Sequence, residues 1–334
     1  MESRPLVSAI VSTYNSEEFI EGKIEDLLSQ TIGDRLEIII INSGSKQNEN
    51  LIIEKYCKRH DNFKYILTDK RETIYAAWNR GIKASSGVFI TNSNTDDRLR
   101  NDALEILANE LIQSKEVGLI YADQYESSIK NQTFSSLAKG KIIKFPDYNR
   151  IYQLERCIIG SQPMWRASIH FENDIWFDEK YEVCGDQEFE FRVSQIFQIK
   201  HLSQPLGIFF KSKGKKNKEY QNIARNIREV EEIQTKYMPI FLDSLKDKEL
   251  TEIYGSYYYY LLIPLPFYYL LKKGELLLSN SIYPRYFFHS TKFLYYFNIH
   301  LLRKMGKNKK MKKLCRRFLR YRDSEVIKKI LLTA

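Results

Sequence analysis

Residues 74 to 99 restrict the fold of this chain more than any other stretch. They read Ile-Tyr-Ala-Ala-Trp-Asn-Arg-Gly-Ile-Lys-Ala-Ser-Ser-Gly-Val-Phe-Ile-Thr-Asn-Ser-Asn-Thr-Asp-Asp-Arg-Leu. The Ala-rich amphipathic run from Tyr75 to Ala84 predicts a helix, Ser85, Ser86 and Gly87 end it, and Val88, Phe89 and Ile90 open a buried strand. That strand ends at Asn94-Thr95-Asp96-Asp97. Adjacent carboxylates just past a buried parallel strand stand where open α/β sheets bind ligands. Their hard oxygens suit a divalent cation that holds phosphates.

The segments upstream repeat the same strand-then-helix rhythm. Leu6 to Ser12 reads as a buried strand, β-branched and apolar on both faces. Thr13, Tyr14, Asn15 and Ser16 follow, and Ser16 is placed to cap a helix whose apolar face is Phe19, Ile20, Ile24, Leu27 and Leu28. Leu36 to Ile41 is a second strand, Asn48 to His60 a helix, and Phe63 to Leu67 a third strand. This alternation predicts an α/β fold with a mostly parallel, doubly wound sheet flanked by helices.

Beyond the opening stretch the pattern is more broken. Asp102 to Ser114 reads as a helix, Val117 to Ala122 as a strand, and residues 126 to 150 as a loop or hairpin. Cys157 to Trp165 reads as a strand with a tight turn, and Ser168 to Glu172 as a short helix. Gly185 interrupts the chain and Asp186 begins a helix; Ile199 to Leu202 and Leu206 to Phe210 read as two strands. Lys211 to Lys218 forms a Lys- and Gly-rich loop, and residues 219 to 238 carry apolar groups at helical spacing. The composition changes at Pro239, which sets the expected division: an α/β domain over 1–238 and a helical, aromatic and basic region over 239–334.

Charge makes the same division. The formal net charge is +10, but residues 272 to 334 hold 17 Lys and Arg against 3 acids, leaving the rest of the chain at −4. Hydrophobic residues make up 43% of the chain, too many for a disordered polymer. The four cysteines lie far apart, without metal-ligand spacing, which fits a reducing compartment rather than a disulfide framework. The opening Met-Glu-Ser-Arg-Pro and the short strand-like run after it do not form a signal peptide, so a cytoplasmic location is expected.

Four segments in order resemble glycosyltransferase family 2, whose members adopt the GT-A fold. Val11 to Asn15 looks like the family's opening strand and turn, and Ile40 to Ser45 occupies the place of its acidic-acidic-Gly-Ser motif. Asn79-Arg80-Gly81 through Asp97 is similar to the segment that leads to its metal motif, and Val183 to Arg192 to the segment that carries its catalytic base. The resemblance implies transfer of a sugar from a nucleotide-sugar, UDP-linked by analogy, to a saccharide or lipid-linked saccharide acceptor with inversion. It also implies Mn²⁺ or Mg²⁺ as cofactor, held by Asp96 with Asp97 beside it, and Asp186 as base. On the donor side it points to Thr13, Tyr14, Asn42, Arg71, Arg80, Asn94 and Lys211. On the acceptor side it points to Gln162, Trp165 and Glu188, Glu188 also being the rival base.

Two departures accompany the resemblance. Asn94 stands where many relatives have Asp, which thins the metal site, and Asn42 with Ser43 replaces an acidic pair that contacts the nucleotide base. Each residue also has a plainer reading. Asp96 and Asp97 fit an N-cap for the next helix, Asp186 and Glu188 fit first-turn helix charge, Tyr14 and Trp165 fit packing, and the Lys loop fits a solvated surface.

The basic region fits an anionic membrane surface, with Tyr254 to Leu271 lying in the interface, or a helical cap or homodimer surface. No nucleic-acid motif accompanies it. A nucleotidyltransferase, and a non-catalytic glycosyltransferase-like scaffold, are the competing functional classes.

Overall fold

The computed structural model describes residues 4–137, 140–155, 157–212 and 223–244. Four parallel strands form its first half, in the order β3-β2-β1-β4. They are β1 (Val7–Thr13), β2 (Leu36–Asn42), β3 (Phe63–Leu67) and β4 (Phe89–Asn92). β2 is buried along its whole length, Leu-Glu-Ile-Ile-Ile-Ile-Asn, because both faces of the sheet are covered. On one face α1 (Glu17–Leu28) and α4 (Ala103–Gln113) bring Ile20, Ile24, Leu27, Leu104, Leu107 and Leu111 against Val7, Ala9, Val11, Ile38, Ile40 and Phe89. On the other, α3 (Ile74–Ala84) approaches so closely that a Cβ on Gly81 would lie 2.5 Å from Ile10 Cγ2. α2 (Glu49–Cys57) links β2 to β3.

The second half continues the sheet with mixed directions. β8 (Met164–Arg166) runs antiparallel between β4 and β6 (Val117–Ser127), and β9 (Gln198–Phe210) lies parallel to β6. β5 (Arg98–Leu99) closes the edge on β9, and β7 (Lys141–Ile143) forms the hairpin partner of β6. Three short helices, α5 (Arg150–Glu155), α6 (Ser168–Phe171) and α7 (Gly185–Val193), pack beside these strands, and α8 (Ile223–Ser244) is the last described element. The chain divides into compact units at Asn226, and everything said of the site below belongs to the first.

Several expectations shift. The two strands foreseen over 199–202 and 206–210 are one strand of 13 residues, because irregular pairing around Ala122 and Asp123 absorbs Pro205, which has no N–H to donate. β6 runs on to Ser127 rather than stopping at Ala122, since β7 and β9 both pair with its extension. Of the segment 157–165 only Met164 and Trp165 are strand, in β8, which runs on to Arg166. Ser16 occupies the N-cap position of α1 without side-chain capping: its hydroxyl donates to the Tyr14 carbonyl, and Glu49 accepts its backbone N–H at 2.6 Å. The Tyr254–Leu271 segment and the basic region lie outside the described residues. Among those that are described, no helix is long and apolar enough to cross a membrane.

One buried carboxylate ties the first three strands together. Glu37 on β2 accepts from Ser8 Oγ at 2.5 Å, from Ser86 N and Oγ at 2.9 and 2.6 Å, and pairs with Lys64 Nζ at 2.6 Å. Burial works against its charge, but the Lys64 pair and the serine hydrogen bonds outweigh it and hold the pKa below the usual value of 4.5. A depressed carboxyl stabilises the fold above its unfolded pKa and loses that contribution as pH falls through the folded one. Glu37→Gln is therefore expected to lower unfolding free energy at pH 7 by about 1–3 kcal/mol. In urea titrations the gap between variant and native protein should close below pH 4.5; a gap independent of pH would contradict the ionised assignment.

Candidate active site

The parallel strands end at one edge of the sheet. Thr13 is level with Asn42, and Asn92 with Ile10, so the chain leaving β4 passes through residues 94–97 near the end of β1. α3 runs back from this edge, and its first turn, capped by Thr73 Oγ1 accepting from Ala76 N at 3.2 Å, places Tyr75 there. Tyr75 in turn holds Asp186: its hydroxyl donates to Asp186 Oδ1 at 3.3 Å. Asn79, one helical turn on, grips the backbone of Phe177 through both amide atoms at 2.9 and 3.1 Å. α3 thereby fixes the chain that leads into α7, and carboxylates from segments 90 residues apart in sequence reach the same edge.

Asp96 and Asp97 are not equivalent. Asp97 is 1% exposed, whereas Asp96 is partly exposed. Asp97 Oδ1 accepts from Phe210 N at 2.9 Å, and its Oδ2 accepts from Ser161 Oγ at 2.6 Å and Asn94 Nδ2 at 3.3 Å. Burial, then the charge of Asp96, push the Asp97 carboxyl up to about 7, against the pull of those donors. The N-cap reading of this pair fails: β5 intervenes and α4 begins at Ala103, because Asp97 is committed to β9 and to the turn before β8.

Asp186 opens α7 and also accepts from Gln187 N at 2.8 Å. Gly185 does more than break the chain. The Tyr75 ring lies on it, and a Cβ there would be 2.7 Å from Tyr75 Cε2. One turn below Asp186, Glu190 is buried, accepts from Gln153 Nε2 at 2.7 Å, and is held far above the usual carboxylate range by burial and then by Asp186. Burial and the neighbouring Asp186 thus both disfavour a negative charge on Glu190.

The donor-side residues separate into those at the edge and those engaged elsewhere. Thr13 is buried, with its hydroxyl 3.4 Å from Glu49 Oε1. The Tyr14 ring is covered by Arg71, whose Cζ stands 4.4 Å from the ring centroid. Asn42 is buried and both its amide atoms are used: Oδ1 accepts from Ser45 N at 2.9 Å and Nδ2 donates to Tyr65 OH at 3.1 Å. These bonds fix the orientation of the Asn42 amide; beside it, the buried Ser43 Oγ has no protein partner. Gly44 turns the loop at φ +63°, with Lys70 backbone so near that a Cβ would lie 3.1 Å from it.

Arg80 pairs with Glu72 rather than reaching the edge, and Lys211 Nζ pairs with Glu126 at 3.0 Å. The rest of the Lys211 to Lys218 loop, from residue 213 on, lies outside the described residues. The acid that sequence reasoning missed is Glu49. It is fully buried, its Oε2 accepts from Ser45 Oγ at 2.5 Å, and it joins β1, α1 and the 42–45 loop.

The three residues assigned to an acceptor wall are internal. Trp165 is 1% exposed and donates from Nε1 to His170 Nε2 at 2.7 Å, in a cluster with Phe177 and Phe189. Glu188 is buried and pairs with Arg192 at 2.7 Å, so it is a poor rival to Asp186 for the role of base. Gln162 donates to the Arg98 carbonyl at 3.1 Å and supports β5 from within.

A divalent cation fits this edge only as a shared ligand. Asp96 is the partly exposed carboxylate here, Asn94 adds an amide oxygen, Asp97 has both oxygens engaged by the protein, and among the described residues no three His, Cys, Asp or Glu side chains converge as a self-sufficient metal cage. One or two carboxylates with the remaining positions filled by phosphate and water is the arrangement Mg²⁺-type sites adopt.

Residues 8–171 match the family model described as Glycosyl transferase family 2. An uncharacterized glycosyltransferase, EpsJ, of Bacillus subtilis is 29% identical over 219 residues, covering 61% of each chain. The chondroitin synthase of Pasteurella multocida is 26% identical over 200 residues, 60% of this chain and 20% of that protein. The chain thus spans about three fifths of the Bacillus relative and a fifth of the synthase. Among solved structures, the mannosyltransferase PcManGT of Pyrobaculum calidifontis, in complex with GDP-Man and Mn²⁺, aligns over 90% of this chain and 86% of its own. Its TM-score is 0.55 at 16% identity. S. aureus TarS 1-349 in complex with UDP-GlcNAc aligns over 73% and 69%, with TM-score 0.57 at 18% identity. These likenesses establish the fold.

The contact between Tyr75 and Gly185 can be tested by a double-mutant cycle in urea. Gly185→Ala is expected to cost about 1–3 kcal/mol in the native background and much less beside Tyr75→Leu, where the ring is gone. Additive losses would mean that the ring does not rest on Gly185.

Proposed function

We propose that this chain, whose residues 8–171 match the model described as Glycosyl transferase family 2, is a member of that family and moves a sugar from a nucleotide-sugar to an acceptor hydroxyl in polysaccharide assembly. The observation that supports this reading is the bond from Tyr75, in the first turn of α3, to Asp186 Oδ1 at 3.3 Å, with Asp96 following β4 where open α/β sheets bind ligands. The acceptor hydroxyl gives its proton to Asp186 as its oxygen bonds to the anomeric carbon. The bond from that carbon to the diphosphate oxygen breaks on the opposite face, which inverts the centre. Tyr75 orients the base through the bond from its hydroxyl to Asp186 Oδ1. Asp96 is the main carboxylate for Mn²⁺ or Mg²⁺, with Asn94 and Asp97 next to it. When bound, the cation neutralises the departing diphosphate as a Lewis acid.

The relatives support the donor class without choosing its base. TarS was solved with UDP-GlcNAc and PcManGT with GDP-Man, and Asn42 at the end of β2 is an amide, not a carboxylate, already bonded to Ser45 and Tyr65. For the basic region, we propose contact with an anionic membrane surface where a lipid-linked acceptor is presented. Its support is the 17 Lys and Arg within residues 272–334.

Nucleoside diphosphate release from a panel of nucleotide-sugars, with Mn²⁺ or Mg²⁺, is the direct assay. Asp186→Asn is expected to lower turnover by about 10²–10⁴, and Asp96→Asn to abolish metal dependence. Turnover unchanged in Asp186→Asn would remove the base, and release of inorganic pyrophosphate would make the enzyme a nucleotidyltransferase. Separately, truncation after residue 238 should end co-sedimentation with vesicles of anionic lipid; unchanged sedimentation would reject membrane contact by that region.

A further inference from the structure

Arg98 is a buried cation, 1% exposed, that the mechanism above leaves unused. Its Nη1 donates to the Thr95 and Asp97 carbonyl oxygens, both at 2.7 Å. Those carbonyls belong to the residues on either side of Asp96. Its Nη2 donates to the Phe19 carbonyl at 3.3 Å and to Asn131 Oδ1. The guanidinium therefore spans the carboxylate loop, α1 and the loop after β6.

Burying such a charge is costly unless it is compensated. Asp26, Asp97 and Asp96 supply the opposing charge, and Lys23, fully buried, pairs with Asp26 Oδ2 at 3.0 Å. Both Asp26 oxygens also accept from Leu99 N at 3.1 Å, which fixes the far end of the loop. α1 can come this near because Gly22 has no side chain; a Cβ there would lie 2.7 Å from Arg98 Nη2. Two cations and their acids thus form an internal brace directly behind residues 95–99.

We propose that Arg98 is a positioning residue for the cation: it holds the peptide groups around Asp96 in their metal-binding shape before any metal arrives. The inference rests on Asp96 being the metal carboxylate. Adjacent Asp96 and Asp97 repel each other, and a loop free to spread would lose entropy on binding and weaken the metal. A planar fork can grip two carbonyls and an amide oxygen at once, which the point charge of a lysine cannot.

The test is Mn²⁺ binding to the full chain, read by EPR of free Mn²⁺, in the presence of UDP and, separately, of GDP. Arg98→Lys is expected to raise the Mn²⁺ Kd about tenfold or more, the usual effect of removing support from a metal ligand. Asn131→Ala, on an exposed loop, should raise it about threefold, a part of that same effect. Leu107→Ala, a remote core variant, should lower Tm while leaving Kd within about twofold, since distant sites act independently.

A native Kd in Arg98→Lys, or an equal loss in Leu107→Ala, overturns the proposal. If Arg98→Lys does not fold, a native Kd in Asn131→Ala overturns it. Native protein that binds no Mn²⁺, or binds it equally well as Asp96→Asn, removes the metal assignment and this inference with it; Asp96 dependence together with indifference to Arg98 removes the inference alone.

Discussion

Asp97 has to be satisfied inside the protein, and much of the local architecture follows from how that is done. Its carboxylate takes the Phe210 amide from β9, the Ser161 hydroxyl from the turn before β8, and the Asn94 amide from its own loop. A buried carboxylate without such donors would be expelled or neutralised. With them, it ties the parallel half of the sheet to the mixed half at the point where β4 ends. Asp96, its neighbour, stays partly exposed on a backbone that Arg98 holds through the Thr95 and Asp97 carbonyls.

The departures from the family pattern acquire a physical meaning in this setting. Asn94 is less an impaired metal ligand than a donor to Asp97, a service that a second carboxylate at that position would not perform. Asn42 is likewise enclosed, bridging Ser45 and Tyr65, while Glu49 brings an acid to the same loop from α2. Negative charge has moved from the end of β2 to the start of the following helix. There it accepts the first free N–H of α1 from Ser16, a favourable place for an anion.

The parallel strands and their helices were legible because buried β-branched runs and helical periodicity are local signals. That Asp96, Asp97 and Asp186 stand at strand or helix boundaries was legible for the same reason. What sequence could not supply was direction. Trp165 and Glu188 looked like pocket residues by neighbourhood, yet β8 and α7 turn them inward, toward His170 and Arg192. Tyr75 and Arg98 act across 111 and 33 residues of chain on Asp186 and Asn131, distances over which no periodicity carries information. One hint was present: Lys23 and Asp26 interrupt the apolar face of α1 three residues apart, and a charge pair in that position implies something charged opposite.

The central claim is that Asp96 and Asp186 face one reaction centre at the carboxyl edge of the sheet. Crystals grown with Mn²⁺ and a nucleoside diphosphate, with anomalous differences collected at the manganese edge, address it most directly. The account predicts a manganese peak within coordination distance of an Asp96 oxygen, the diphosphate on the same ion, and the Asp186 carboxylate facing the open side of the terminal phosphate. A manganese and diphosphate bound away from Asp96, or an Asp186 carboxylate turned from the phosphate into the protein, would contradict it.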